Sequence, residues 1–422
     1  MSTSVNAKRS NVVVVGAGLS GLSCARHLHD RGIDVAVVDQ ADAVGGRIRT
    51  DEMDGFLLDR GFQVMLTAYE ELQNVPNLDS LALKAFAPGS VIWSGRGLER
   101  LTDPFRSPSG LAASIRARTG TLSDKLRVAK LRLRLLSSSV DAIFEGPERS
   151  TLEELRAEGF SEQFIDQFFR PFLGGVFLER ALDTSASLFR YYFRCFAAGD
   201  AAVPARGMQR LPELLALPLG DRVRLNTTVR TVTRDSVTLD DGSTLEAREI
   251  VLAVDGAAAA KLVGVQAPSF KSTVTSYYAA PEAPVEGRLL LLDGEGTGPA
   301  NHVAVMSSVS ADYAPSGRHL IAVSGVDGSD GSAGHFQEGA RTQMRRWFGP
   351  EVDQWDHLRS YSIPHALPRH PAGFAQHRPG NRAPEGVWLT GDYTDFGSIQ
   401  GALRAGRTTA DAILERATGA TP

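Results

Sequence analysis

The residues of this 422-residue chain whose types and spacing could do chemistry lie near its start. Gly16-Ala17-Gly18-Leu19-Ser20-Gly21 follows the pattern G-x-G-x-x-G. In that pattern the first glycine permits a tight turn and the second lets the backbone approach a pyrophosphate, while the third lets a helix pack closely on a strand. The helix that begins there offers unpaired N–H groups to the anion. Asp39 follows at the distance where an acid accepts ribose hydroxyls. A glycine turn without a ligand could carry the same residues, but a strand before and a helix after are the context of a dinucleotide seat. No catalytic triad stands out, and catalytic residues are not assigned. His302, His365 and His370 lack ligand spacing, Cys24 and Cys195 lack the pair spacing of a metal or redox motif, and no metal site is expected.

The elements that must position the seat can be read around it. Residues 11–15, four of them valine, form a buried parallel strand, residues 19–31 a helix closed by Gly32, and residues 34–39 a second buried strand. Strand, glycine turn, helix, strand is a right-handed βαβ unit. Residues 68–198 have another texture: helix-prone, rich in Leu, Arg and Phe, with breaks at Pro104 and Pro108. From Arg222 short strands return, at 223–229 and 236–239, with Asp241-Gly242 as a hairpin turn and a buried strand at 249–253. Residues 266–364 alternate short strand-like runs (288–292, 303–306, 320–323) with glycine-rich turns, and 325–334 reads as an exposed loop. A last strand at 387–390 leads to Gly391-Asp392 and then to a helix over 400–415.

Beyond the acid come Gly45-Gly46-Arg47-Ile48-Arg49-Thr50 and Asp59-Arg60-Gly61-Phe62-Gln63. The succession G-x-G-x-x-G, acid, G-G-R-x-x-T, D-x-G resembles the flavin-containing amine oxidase superfamily, which includes protoporphyrinogen oxidases and carotenoid desaturases. Residues 223–253 and 386–414 are similar to the family's central strands and its C-terminal flavin motif. The resemblance implies an α/β fold: a Rossmann-like FAD-binding domain from residues 1–67, 199–265 and 366–422, with an interleaved α+β substrate domain from 68–198 and 266–365. It implies FAD held by Gly16, Ala17, Gly18, Gly21, Asp39, Gly45, Gly46, Arg47, Gly61, Phe62, Gln63, Val229, Gly391, Asp392, Ile399 and Gly401. In it, the backbone at Val229 meets adenine, Gly391-Asp392 lies near the pyrophosphate and ribityl chain, and a helix opening at Ile399 points at the flavin pyrimidine. A fixed guanidinium at Arg47 suits the pyrophosphate charge, and a helix N-terminus suits the reduced ring.

The expected chemistry is transfer of a hydride from a substrate C–H or N–H bond to flavin N5. No second G-x-G-x-x-G sits between a strand and a helix, so a built-in NAD(P)H site is not expected, and reoxidation falls to oxygen, a quinone or another acceptor. Amine oxidases of the monoamine type carry an aromatic ring where this chain has Ser398, and a flavin-linking cysteine where it has residues 382–386. Non-covalent FAD and an apolar substrate, in a desaturase, dehydrogenase or oxidase reaction, are therefore expected ahead of amine oxidation. Residues 361–368 resemble the segment before the flavin motif in the protoporphyrinogen oxidase and carotenoid desaturase branch, which gives His365 the best claim among the histidines. Non-redox flavin isomerases and flavin-free binding proteins share the fold. Against the second stand the intact Gly45-Gly46-Arg47 and Gly391-Asp392.

Phenylalanines at 164–177 and the run 189–193 line either a pocket for a large apolar substrate or an ordinary helical core. Leu122, Leu126, Ala129, Leu133 and Leu136 recur at helical spacing with Lys125, Arg127, Lys130, Arg132 and Arg134 between them. Such a helix either packs one face or lies on an anionic membrane. A net charge of −4 excludes a general field for nucleic acid. The lack of a disulfide framework, of a signal-peptide pattern and of a long apolar run points to a cytoplasmic protein, at most peripheral to a membrane.

Overall fold

The computed structural model describes residues 10–103, 105–106, 117–327, 333–374, 380–383 and 386–418. The valine run forms the strand Ser10–Val15, which pairs in parallel with Val35–Val38 on one side and Thr244–Leu252 on the other. Val12, Val13, Val14 and Val15 are all buried, because both faces of this seven-stranded sheet are covered, so the sequence is a continuous apolar run rather than an alternation. Val223–Arg224 extends the sheet beyond Val35–Val38, and Trp388–Leu389 pairs in parallel with Thr244–Leu252. Ser236–Leu239 and Val229–Val232 add an antiparallel margin, turned at Gly242, whose φ of +84° favours glycine. Three stretches far apart in sequence thus meet in one sheet. The helix Leu19–His29 lies against it and against the C-terminal helix Ile399–Thr418.

A second seven-stranded sheet runs in the order Asp356–Pro368, Phe270–Ala280, His319–Val326, His302–Val305, Leu290–Asp293, Gly89–Trp93, Leu98–Thr102. All its pairings are antiparallel except that between Leu290–Asp293 and Gly89–Trp93. Side chains alternate across the pleat. Val91, Trp93, Leu291, Val303, Ile321 and Val323 pack on Phe336, Ala340, Met344 and Trp347 of the helix Ala333–Phe348. The opposite face, which carries Leu290, His302 and Ala304, turns toward the remaining helices.

Those helices are Leu122–Ser137, Thr151–Ala157, a run from Glu162 to Phe177 and Ala186–Ala198. Leu122–Ser137 starts at a capping box in which Thr121 and Asp124 satisfy each other's backbone N–H groups. The middle of the 162–177 run, Ile165–Phe169, is π-helical. That extra turn width splits its aromatics between two directions. Phe164, Phe169 and Phe177 enter the core, whereas Phe168 and Phe172 are only partly buried and stack with Phe164 in a ridge at 5.2 and 5.5 Å between ring centroids.

Four readings of the sequence need correction. Residues 68–198 are not uniformly helical: Gly89–Trp93 and Leu98–Thr102 are strands of the second sheet. Residues 223–229 do not form one strand, because Asn226 takes a φ of +51° between Val223–Arg224 and Val229–Val232. The segment 325–334 begins in the strand His319–Val326 and ends in the helix Ala333–Phe348, so only its ends are corrected, and residues 328–332 lie outside the described residues. The two longest strands, Phe270–Ala280 and Asp356–Pro368, stand where only short runs were expected. Pro104 and Pro108 lie outside the described residues.

Candidate active site

One cavity of about 1250 Å³ is lined from both sheets and from the helices. Single small-molecule pockets run to roughly 300–1,000 Å³, so this one has room for more than one ligand. Of the sequence-predicted residues, Gly16, Gly18, Asp39, Gly45, Gly46, Arg47, Gly61, Phe62, Gln63, Val229, Gly391, Asp392 and Ile399 line it. Ala17, Gly21 and Gly401 stand just behind the wall. The Ala17 N–H donates to Asp39 Oδ2 at 2.6 Å, and the Ala41 N–H to Oδ1 at 2.7 Å, so the carboxylate is held at the end of its strand. A Cβ on Gly21 would fall 2.0 Å from the Gly16 carbonyl oxygen, and one on Gly401 would fall 1.9 Å from that of Phe396. These two glycines serve helix packing.

Gly18 is different. Its backbone (φ −74°, ψ 177°) suits any residue, and a Cβ there would meet no protein atom within 4 Å. The fold itself gives no reason for a glycine, whereas a pyrophosphate laid on this wall does. The helix that follows has no side-chain cap and no acidic residue in its first turn, so its N-terminal N–H groups and positive dipole end remain for an anion. A second helix end reaches the same cavity. Ser398, Ile399 and Ala402 line it, and Ser398 accepts the Gly401 N–H at 2.8 Å. Ser398 is therefore the N-cap of Ile399–Thr418, which accounts for a small polar residue at that place.

Arg47 is clamped between these ends. Its Nη2 donates to Asp392 Oδ1 at 2.6 Å and its Nη1 to the Ala366 carbonyl at 2.9 Å. Burial works against its charge, but Asp392 more than offsets that and holds the guanidinium protonated. Gln63 donates from Nε2 to the Arg47 carbonyl at 2.9 Å, while its buried Oε1 has no partner. Asp59, of the D-x-G segment, faces inward instead. It accepts from Thr50 Oγ1 at 2.6 Å, from the Met208 N–H at 2.9 Å and from the Tyr313 hydroxyl at 2.8 Å. Burial pushes its carboxyl up to about 6 despite these donors. Asp59 ties three chain segments together and so fixes Gly61-Phe62-Gln63 at the wall. An unpaired buried acceptor, an unfilled glycine wall, one uncapped helix N-terminus and a second capped by Ser398 at the Gly401 N–H fit a flavin dinucleotide.

The other half of the cavity is aromatic, lined by Phe164, Phe168, Phe172, Tyr192, Phe193 and Phe196. The phenylalanine runs thus do both things expected of them: these line the cavity, while Phe169, Phe177 and Phe189 are core. His365 does not line it. That ring is half exposed and stacks on Phe270, whereas His302, for which no spacing spoke, is a lining residue. His370 accepts the Gly397 N–H at Nε2, and Tyr192 donates its hydroxyl to the Gly397 carbonyl, so the glycine before the capping serine is held at both its backbone groups. Cys24 and Cys195 are free, buried thiols, and neither lines the cavity. At the mouth, Asp103 pairs with Arg132 and Asp200 with Arg106. Leu122 and Leu126 of the same rim are 63% and 64% exposed, and Leu133 further along the helix is 60% exposed. The leucines expected to pack are therefore the outward ones. Leu131 and Leu135 hold the helix to the protein.

Comparison with known proteins accords with this geometry. The flavin-containing amine oxidoreductase family matches residues 19–414. Carotenoid phi-ring synthase of Streptomyces griseus is 27% identical over 96% of this chain and 88% of its own length. Protoporphyrinogen oxidase 2 of Arabidopsis thaliana is 27% identical over 41% of the chain, a match that spans only 33% of that enzyme. Among solved structures, putrescine oxidase bound to putrescine superposes with a TM-score of 0.72 at 20% identity, covering 97% of this chain and 99% of that one. The chain belongs to the flavin-containing amine oxidoreductase family.

Proposed function

We propose that the protein is a non-covalent FAD-dependent oxidoreductase that removes a hydride from an apolar organic substrate, in a dehydrogenation, desaturation or oxidase reaction. The carrying observation is the division of one cavity into a glycine-walled half with two helix N-termini and an aromatic half. In this reading residues 1–67, 199–265 and 366–422 form the cofactor domain and 68–198 and 266–365 the substrate domain. The chemistry the flavin supplies when bound is acceptance of a hydride at N5, with the electrons passing on to oxygen, a quinone or another acceptor. The chain's own part is binding, orientation and exclusion of water. Arg47 and the first helix end balance the pyrophosphate charge, the Ser398-capped helix end favours negative charge on the pyrimidine, and the phenylalanine ridge packs the substrate. Neither free cysteine lines the cavity, which supports non-covalent FAD.

An amine substrate fits less well. A cationic amine wants a carboxylate, and the mouth carboxylates Asp103 and Asp200 are already paired with arginines. The two relatives that support this reading act, by their names, in carotenoid ring synthesis and on protoporphyrinogen. The test is anaerobic mixing of the flavin-loaded protein with a carotenoid precursor, a porphyrinogen and a set of simple amines. Bleaching of the flavin by one of the first two supports the proposal, and bleaching by amines alone overturns it.

The mouth also suggests how an apolar substrate arrives. Leu122, Leu126 and Leu133 are exposed on one face of a helix with five cations, Lys125 to Arg134, against the single acid Asp124, and Phe105 is exposed beside Arg132 of that helix. An anionic bilayer satisfies both features. A second copy would not: a symmetric pairing sets the same cations against themselves. Peripheral contact of a cytoplasmic protein is the resulting proposal, and among the described residues no helix is long and apolar enough to cross a membrane. Co-sedimentation with anionic but not zwitterionic vesicles, abolished by Leu126→Glu with Leu133→Glu, is the expected outcome. Equal behaviour of the variant and the parent protein would refute it.

A further inference from the structure

We propose that His302 donates a hydrogen bond to an uncharged oxygen of an otherwise apolar substrate, which makes an oxygenated apolar molecule, such as a ketone, ester or alcohol, the substrate class. The inference rests on the reading of the aromatic half as a substrate pocket. His302 opens the strand His302–Val305, and the pleat turns its ring to the cavity face of the second sheet. The ring is only 2% exposed and lies against Phe62 at 4.9 Å between centroids. Its protonation pattern is fixed from behind. The Asn301 amide must present Nδ2 to the Pro171 carbonyl, at 2.8 Å, and the same Nδ2 lies 3.2 Å from His302 Nδ1. An amide NH₂ can only donate, so Nδ1 is the acceptor and the proton sits on Nε2.

That Nε2 is buried and has no partner. Burial, helped by the Arg180 charge, pulls the imidazole down to about 4, so the ring is uncharged at neutral pH and offers one N–H. A buried donor left unpaired is costly, and a ligand that supplies an acceptor removes the cost. A pure hydrocarbon has no acceptor. An ammonium group has only donors and would set N–H against N–H. An uncharged oxygen accepts the bond without bringing a charge into a phenylalanine-lined space. Nothing here requires His302 to take up or release a proton in the reaction. It is a binding and orienting group that would fix which carbon–hydrogen bond meets the flavin.

The experiment uses the flavin-loaded protein and two probes of nearly equal shape, 2-acetylnaphthalene and 2-ethylnaphthalene, titrated by perturbation of the flavin spectrum. The parent protein is expected to bind the ketone about tenfold or more tightly than the hydrocarbon, the scale of one good hydrogen bond. His302→Phe keeps the ring without the donor and is expected to abolish the preference. His302→Gln returns a donor and is expected to restore part of it, with flavin content unchanged in both. Equal binding of the two probes by the parent protein overturns the proposal without any variant, as does a preference that survives in His302→Phe. Binding of neither probe to a fully flavin-loaded protein refutes the apolar-pocket reading, and this proposal with it.

Discussion

Gly18→Ala separates what the fold requires from what a ligand requires. At Gly18 the backbone angles suit alanine, and the added methyl would meet no protein atom within 4 Å. An unstrained Gly→Ala exchange narrows the unfolded ensemble, so the flavin-free protein should gain about 0.4–1 kcal/mol of stability. The methyl then stands on the wall where the backbone must approach the pyrophosphate. Even a small outward shift of the dinucleotide weakens its contacts with the helix N-terminus, and a loss of ~1.4 kcal/mol or more is at least tenfold in affinity. Gly21→Ala is the opposite control. Its Cβ would sit 2.0 Å from the Gly16 carbonyl oxygen and 2.9 Å from Ala253 Cβ, so the flavin-free protein itself should lose roughly 1–3 kcal/mol. Urea unfolding of the flavin-free proteins and titration with FAD, followed by quenching of its fluorescence, measure the two effects independently. If Gly18→Ala binds FAD as tightly as the parent protein, the wall is not a pyrophosphate seat. If it destabilises the flavin-free protein by more than about 1 kcal/mol, the steric reasoning is wrong.

Arg47→Met should weaken FAD binding by about ten- to a hundredfold, the range of a hydrogen bond to a charged group, and should lower stability because buried Asp392 loses its partner. Adding Asp392→Asn should recover the stability but not the FAD affinity, read as urea midpoint and dissociation constant. Asp59 gives a pH signature. Burial raises its folded-state value to about 6, above an ordinary carboxyl, so the folded form holds the proton more tightly and its contribution falls as pH rises from ~4 to ~6 and is level above that. His302, lowered to about 4, acts oppositely, its contribution being complete above ~6.5 and lost as pH falls. The difference between the parent protein and Asp59→Asn therefore isolates the Asp59 part, and unfolding free energies across that range should show it growing as pH falls from ~6 to ~4, by about 1–3 kcal/mol in all. Ser398→Ala should cost about 1 kcal/mol through loss of the helix cap while FAD still binds, and loss of FAD binding at unchanged stability would contradict the capping role.

Much of the cofactor half was legible because its residues act close to one another in sequence. Val12 to Val15, the three glycines and Asp39 form a local unit, and the strand, turn and helix they announce are where the pattern puts them. The second sheet was harder to read. Phe270–Ala280 carries a polar front (Lys271, Ser272, Thr273) before its Tyr277-Tyr278, and in Asp356–Pro368 only Pro368 is fully buried, so neither has the apolar run that marks a buried strand. In Ala333–Phe348 the core positions Phe336, Ala340, Met344 and Trp347 have helical spacing, but Gly334 and Gly339 among them weaken the local helix signal. The direction of Leu122–Ser137 was undecidable from periodicity, because leucines stand on both faces: Leu131 and Leu135 pack while Leu126 and Leu133 do not. His302 was invisible for another reason. Its neighbours Phe62 and Gly175 come from two other segments, and only the tertiary fold assembles them.

In the proposed function, the glycine wall, Arg47 and the two helix ends seat FAD without a covalent bond. Precipitation of the purified, yellow protein with acid, followed by chromatography of the supernatant, tests it most directly. The predicted result is FAD in the supernatant, equimolar with the chain, over a colourless pellet. A protein that carries no flavin and takes up none on incubation with FAD, or a pellet that keeps the colour, would contradict it.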